Sequence, residues 1–61
     1  MTPHELRAAR KRLGLTQAEL GAAIGRRQAS ISRLEHGAAD VPRVVEMALR
    51  GLQRELEEER A

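Results

Sequence analysis

The 61-residue sequence contains no cysteine and no aromatic residue. The lack of cysteine excludes disulfide bonds and thiolate metal sites. The lack of aromatic residues excludes the side chains on which single-stranded nucleic acids stack their bases. Beside ten alanines, only 15 Leu, Ile, Val and Met residues remain to form a core. We therefore expect one marginally stable domain that is supported by a second subunit.

Long apolar runs and a large net charge are also missing. No segment approaches the roughly 18 apolar residues of a membrane span, and the first 15 residues carry too many charges for a secretion signal. The net charge of +2 is too small to favour a disordered chain. These features predict a cytoplasmic protein without a membrane partner.

The charge is distributed unevenly along the chain. Residues 1–36 carry seven Lys and Arg against three Glu, a net charge of +4, whereas residues 37–61 carry four Arg against six Asp and Glu, a net charge of −2. A basic first part and an acidic second part indicate that the first part binds a polyanion.

Helix caps and glycine stops predict four helices and no strand. Thr-x-x-Glu capping boxes begin helices after Thr2 and Thr16, and Gly14 and Gly25 are suited to end them. Apolar residues recur three and four positions apart within each segment. The pattern predicts a small all-α domain over residues 1–61, with helices at about 3–13, 17–24, 28–36 and 42–58 and a five-helix arrangement as the alternative.

The second and third predicted helices have the features of a helix-turn-helix. They are short, Gly25 lies in the turn, and Gly21 supplies a small residue where the third helix is expected to cross the second. The spacing directs four apolar side chains into a shared core: Leu20, Ile24, Ile31 and Leu34. It leaves an outer face on the third helix, which such a unit can insert into the DNA major groove: Ala29, Ser32, Arg33 and His36.

Three segments resemble the Cro/repressor-type, XRE-like helix-turn-helix family of phage and bacterial transcription regulators. They run from Leu13 to Leu20, over Ile24-Gly25, and from Ser30 to Gly37. The resemblance covers about residues 5–50. It implies a lambda-repressor-like fold and a regulator that binds double-stranded operator DNA.

The resemblance also implies roles for individual residues. Glutamine can pair with adenine, arginine with guanine, and alanine can pack against the thymine methyl group. The expected base contacts are Gln28, Ala29, Ser32 and Arg33, with Arg27 as a further candidate. The expected phosphate contacts are Gln17, Arg26, Ser30, His36 and Arg43. Arg10 and Glu35 match an ion pair that ties the first helix to the end of the third.

The sequence departs from the family before the third helix. Relatives usually have an apolar residue followed by Ser or Thr, whereas this chain has Arg26-Arg27. The substitution removes the expected helix cap, at a cost of about 1 kcal/mol. It also adds two cations beside the groove entrance.

The last predicted helix carries a row of apolar residues spaced 4, 3 and 4 positions apart, as in a coiled-coil seam. We take this row as the dimer interface: Val45, Leu49, Leu52 and Leu56. Val44, Val45 and Ala48 are expected to close the core. Pairing through this helix predicts a homodimeric, autoregulatory repressor that binds a palindromic operator, with no small-molecule effector.

Other functions are less well supported by the residues. A helical adaptor or antitoxin-type component would use the same C-terminal seam to bind protein. An RNA-binding role is disfavoured because an exposed helix suits the B-form major groove. Ser32 and His36 lie one turn apart, but no third group orients the histidine, so we expect no catalysis. We expect no metal and no cofactor.

Overall fold

The computed structural model describes residues 1–60, and over this range it contains four α-helices and no strand. The predicted all-α architecture is confirmed, and the last helix is continuous rather than divided in two. Ala61, the last residue of the predicted domain, lies outside the described residues. Among the helices so described, none is long and apolar enough to span a membrane. The elements are α1 (Pro3–Arg12), α2 (Gln17–Ile24), α3 (Gln28–His36) and α4 (Arg43–Arg60).

Local capping determines where the first two helices begin and end. The Thr2 hydroxyl accepts a hydrogen bond from the Glu5 N–H at 3.1 Å, and the Glu5 carboxylate accepts one from the Thr2 N–H at 2.8 Å. Thr16 and Glu19 form the same pair of bonds at the start of α2. Gly25 ends α2 with φ +75°, a left-handed conformation that glycine adopts without steric cost.

Six apolar side chains contributed by all four helices and the loop before α4 form the core. Each of them is at most 4% exposed. α2 packs against α3 and α4, and α1 packs against α3. The core residues are Leu6, Leu20, Ile31, Val41, Val45 and Leu49.

This core corrects the predicted dimer interface. Val45 and Leu49 are almost completely buried within the single chain, and Leu52 packs against the same cluster. A chain without aromatic side chains uses Val45, Leu49 and part of Leu52 to complete its own core, so most of this row is not free to meet a second copy. Leu56, the last residue of the row, is half-buried and lies outside the core cluster. Val44, which was expected to close the core, is instead 69% exposed.

The role predicted for Gly21 also needs correction. A Cβ atom built on Gly21 would lie 2.6 Å from the carbonyl oxygen of Arg26, which belongs to the turn after α2 and not to α3. The Arg26 N–H donates to the Gly21 carbonyl at 2.7 Å, so the chain folds back directly over this glycine. The small residue is therefore required by the turn.

Candidate nucleic-acid interface

The outer face of α3 is presented to solvent. At about 100° per residue, its side chains occupy an arc of about 140°. Ile31 and Glu35 lie beyond the Gln28 edge of this arc and are buried. Ser32 is half-buried, and the other members of the outer face are exposed: Gln28, Ala29, Arg33 and His36. The structure thus brings four predicted base contacts together on one surface.

Arg26 and Arg27 form the turn that leads into α3, and both are exposed. Arg27 is the N-cap residue of α3 and makes no side-chain capping bond. The predicted loss of the cap is therefore confirmed. It follows that α3 begins without the oxygen acceptor that stabilises α1 and α2, and that two guanidinium groups lie beside its first turn.

The remaining predicted phosphate contacts lie around this surface. Ser30 is half-buried on the flank of α3, and its N–H donates to the Arg27 carbonyl at 3.0 Å. Arg43 is exposed at the first residue of α4, beyond the loop that follows α3. Gln17 is half-buried at the first residue of α2. These three residues lie outside the outer face of α3 itself.

An ion pair beneath α3 connects it to α1. The Arg10 guanidinium contacts both carboxylate oxygens of Glu35, from Nε to Oε2 at 2.6 Å and from Nη2 to Oε1 at 3.0 Å. Its Nη1 donates to the Leu15 carbonyl at 2.9 Å. The Glu35 side chain is 1% exposed, so this two-point contact fixes the end of α3 in a desolvated position.

The protonation of Glu35 follows from these contacts. Burial acts to raise its pKa, but the hydrogen bonds from Arg10 and Gln17, together with the charges of Arg10 and Arg7, outweigh burial and hold the pKa below its ordinary value of 4.5. Glu35 is therefore an ionised carboxylate at neutral pH, which can only accept hydrogen bonds.

The ionised carboxylate determines how two glutamine amides are oriented. Gln17 must present its Nε2 to Glu35, and does so at 3.2 Å, because the carboxylate has no hydrogen to donate. Its Oε1 is then directed to Gln28, whose Nε2 donates to it at 2.9 Å. The buried ion pair thus sets the orientation of an exposed amide at the first residue of α3.

The oriented amide retains the atoms needed to read a base. One N–H of the exposed Gln28 amide is used by Gln17, which leaves its second N–H and its Oε1 available to a ligand. A donor and an acceptor in this arrangement match N7 and the N6 amino group of adenine in the major groove. The sequence predicted the Arg10–Glu35 pair and the base-contact role of Gln28 separately, and missed the bond between the two glutamines that connects them.

Within residues 1–60, no group of three or more His, Cys, Asp or Glu side chains is arranged to hold a metal ion. His4 and His36 are both exposed, at opposite ends of the α1–α3 segment. The arrangement is suited to hydrogen bonding and charge pairing along a helix face.

A family model described as a helix-turn-helix domain matches residues 4–61. No curated protein and no solved structure matches the chain. The matched range includes α2, the turn and α3, and also the buried network that supports them.

Proposed function

Because this chain belongs to the helix-turn-helix domain family, of the XRE-like DNA-binding type, we propose that it is a sequence-specific transcriptional repressor. In this proposal it binds double-stranded operator DNA as a homodimer, with α3 in the major groove of each half-site. Occupation of an operator that overlaps a promoter excludes polymerase, and an operator upstream of its own gene makes the repressor autoregulatory.

The observation that carries the proposal is the fixed amide of Gln28 at the edge of an exposed, polar helix face. Base readout is favoured by donors and acceptors whose positions are set before the DNA arrives, because ordering a free side chain on binding costs conformational entropy. The Arg10–Glu35 pair and Gln17 supply that order. Arg33, on the same face, is suited to a two-point contact with guanine.

The charges around this face support phosphate contacts. Arg26 and Arg27 are exposed beside the first turn of α3, where they can reach the backbone of the strand that borders the groove. Gln17, at the positive end of the α2 dipole, has one amide N–H left for a phosphate after its bond to Glu35. These contacts would position α3 without selecting a sequence.

A selection experiment tests the proposal. Duplexes with a randomised central region are enriched on the purified protein, and the recovered sequence is compared with a scrambled duplex and a single-stranded RNA at two salt concentrations. We expect one preferred duplex, bound at least about 10³-fold more tightly than the scrambled one, with affinity that falls steeply as salt rises.

Two variants of the same protein distinguish base contacts, which select a sequence, from phosphate contacts, which only position the protein. Arg33→Ala should relax the preference at one base pair, with a loss of about 1–3 kcal/mol on the preferred duplex only. Arg26→Ala should weaken preferred and scrambled duplexes alike and make the salt dependence shallower. Equal losses on every duplex for both variants would contradict the assigned roles.

A further inference from the structure

α4 has a second apolar face that the fold leaves uncovered. Val44 is 69% exposed and Met47 is 60% exposed, and among residues 1–60 these are the large apolar side chains with most of their surface in solvent. At about 100° per residue, Val44, Met47 and Gly51 fall within about 60° of one another, on the side of α4 opposite the core row. We call these three residues the outer face of α4.

Gly51 is not explained by the fold of the single chain. It lies inside an 18-residue helix, is exposed, and a Cβ atom built on it would meet nothing within 4 Å. An interior glycine weakens a helix relative to alanine, and nothing in the chain offsets that loss. A glycine next to exposed apolar side chains is typical of a position where another backbone or side chain comes close.

The charges along α4 favour a second copy running in the opposite direction. Residues 43–50 carry two arginines and one glutamate, whereas residues 51–60 carry two arginines and four glutamates. Parallel pairing would place the two acidic halves side by side, which is repulsive. Antiparallel pairing places the basic half of each helix against the acidic half of the other.

We propose that the outer face of α4 packs antiparallel against the same face of a second copy, with Met47 of each protomer lying over Gly51 of its partner. The contact is isologous, so each protomer supplies both the apolar side chain and the gap that receives it. This inference rests on the proposed homodimer and replaces the interface predicted from the sequence, of which Val45 and Leu49 are already buried in the core of each chain.

Substitutions on the outer face test the interface by sedimentation velocity over a range of protein concentrations. Wild-type protein should be dimeric, and Gly51→Gln and Met47→Gln should each raise the dimer dissociation constant at least about tenfold. Ala23→Gln, at an exposed position of α2, is the matched control and should leave the dimer unchanged. The helix content of Gly51→Gln should not decrease, since glutamine is a better helix former than glycine.

The absence of native cysteine allows a second measurement. A mixture of Met47→Cys and Gly51→Cys chains should form a disulfide-linked dimer under mild oxidation much faster than a mixture of Met47→Cys and Glu57→Cys chains, because Glu57 lies on the same helix but away from the outer face. Equal rates for the two mixtures would overturn the proposal.

The outcomes also separate this interface from DNA binding. A Gly51→Gln variant that is monomeric yet still binds a single half-site duplex supports the interface and retains the proposed function. A dimeric wild-type protein that binds no duplex supports the interface and contradicts the proposed function. A wild type that stays monomeric, or a Gly51→Gln variant that dimerises as well as wild type, overturns the interface.

Discussion

The buried Arg10–Glu35 ion pair orients two further polar side chains, Gln17 and Gln28. Arg10 and Glu35 are joined by two hydrogen bonds, and the Glu35 side chain is almost completely buried. The Glu35 carboxylate accepts a hydrogen bond from Gln17, and Gln17 in turn accepts one from the exposed amide of Gln28. A buried charge that loses its partner is costly, because the remaining ion cannot recover its hydration. The pair therefore matters for stability as well as for the geometry of the surface above it.

Arg10→Met should lower the free energy of unfolding by about 3 kcal/mol, because it leaves the Glu35 carboxylate buried without its cation. Urea unfolding followed by circular dichroism measures the loss. The matched control is Arg50→Met, which breaks an ion pair with Glu46 in which the arginine is 68% exposed, and should cost less than about 1 kcal/mol. The same small loss in both variants would show that the buried pair does not stabilise the fold.

Side-chain roles were only partly predictable from the sequence. The Arg10–Glu35 pair could be expected because both residues match a family pattern. The hydrogen bond between Gln17 and Gln28 could not, because it depends on how closely the first turns of α2 and α3 approach, and that distance is set by packing. The sequence signal available for this bond was a glutamine at the first residue of each of two adjacent helices.

Among the helices, α3 differs from α1 and α2 in how it begins. Thr2 and Thr16 cap their helices with a hydroxyl oxygen, whereas Arg27 offers no such acceptor to α3. The missing cap costs stability, and the arginine in its place is exposed beside the face proposed to enter DNA. Arg27 therefore leaves α3 without a stabilising cap but places a cation at the proposed binding surface.

Arg27→Ser should raise the free energy of unfolding by about 1 kcal/mol, because the serine hydroxyl can accept a hydrogen bond from the first turn of α3. The same variant should bind DNA more weakly, with the slope of log K against log salt reduced by about one. Thermal unfolding and fluorescence anisotropy measure the two effects.

Arg60→Ser is the control for Arg27→Ser, since it removes the same charge at the far end of α4. It should change DNA affinity much less than Arg27→Ser and add no stability. If Arg27→Ser lowers stability, or binds DNA as tightly as wild type, the account of this position is wrong.

Helix positions were predictable because their signals are local. Capping boxes, left-handed glycines and apolar spacing act within a few residues, and all four helices lie within two residues of their predicted ends. The partner of each face of α4 was not predictable in this way. The apolar row of α4, with its spacing of 4, 3 and 4, is compatible both with burial in the core of one chain and with a coiled-coil dimer. The packing of α4 against α2 shows that most of the row belongs to the core.

Considered as a whole, the molecule is a small body with a long final helix. It measures 35 × 19 × 18 Å, and α4 alone, at about 1.5 Å per residue, is about 27 Å long. The core consists of six side chains. Composition alone predicted that so small a core would need a second subunit, and the exposure of Val44 and Met47 supports the surface that we propose for it.

The central claim is that the outer face of α3 reads base edges in the major groove, and protection of guanine N7 from dimethyl sulfate tests it most directly. The selected duplex is methylated with and without bound protein, and then with Arg33→Ala. The account predicts that wild-type protein shields N7 of specific guanines and that Arg33→Ala exposes at least one of them while the complex persists. A stable complex in which every guanine N7 remains as reactive as in free DNA would contradict it.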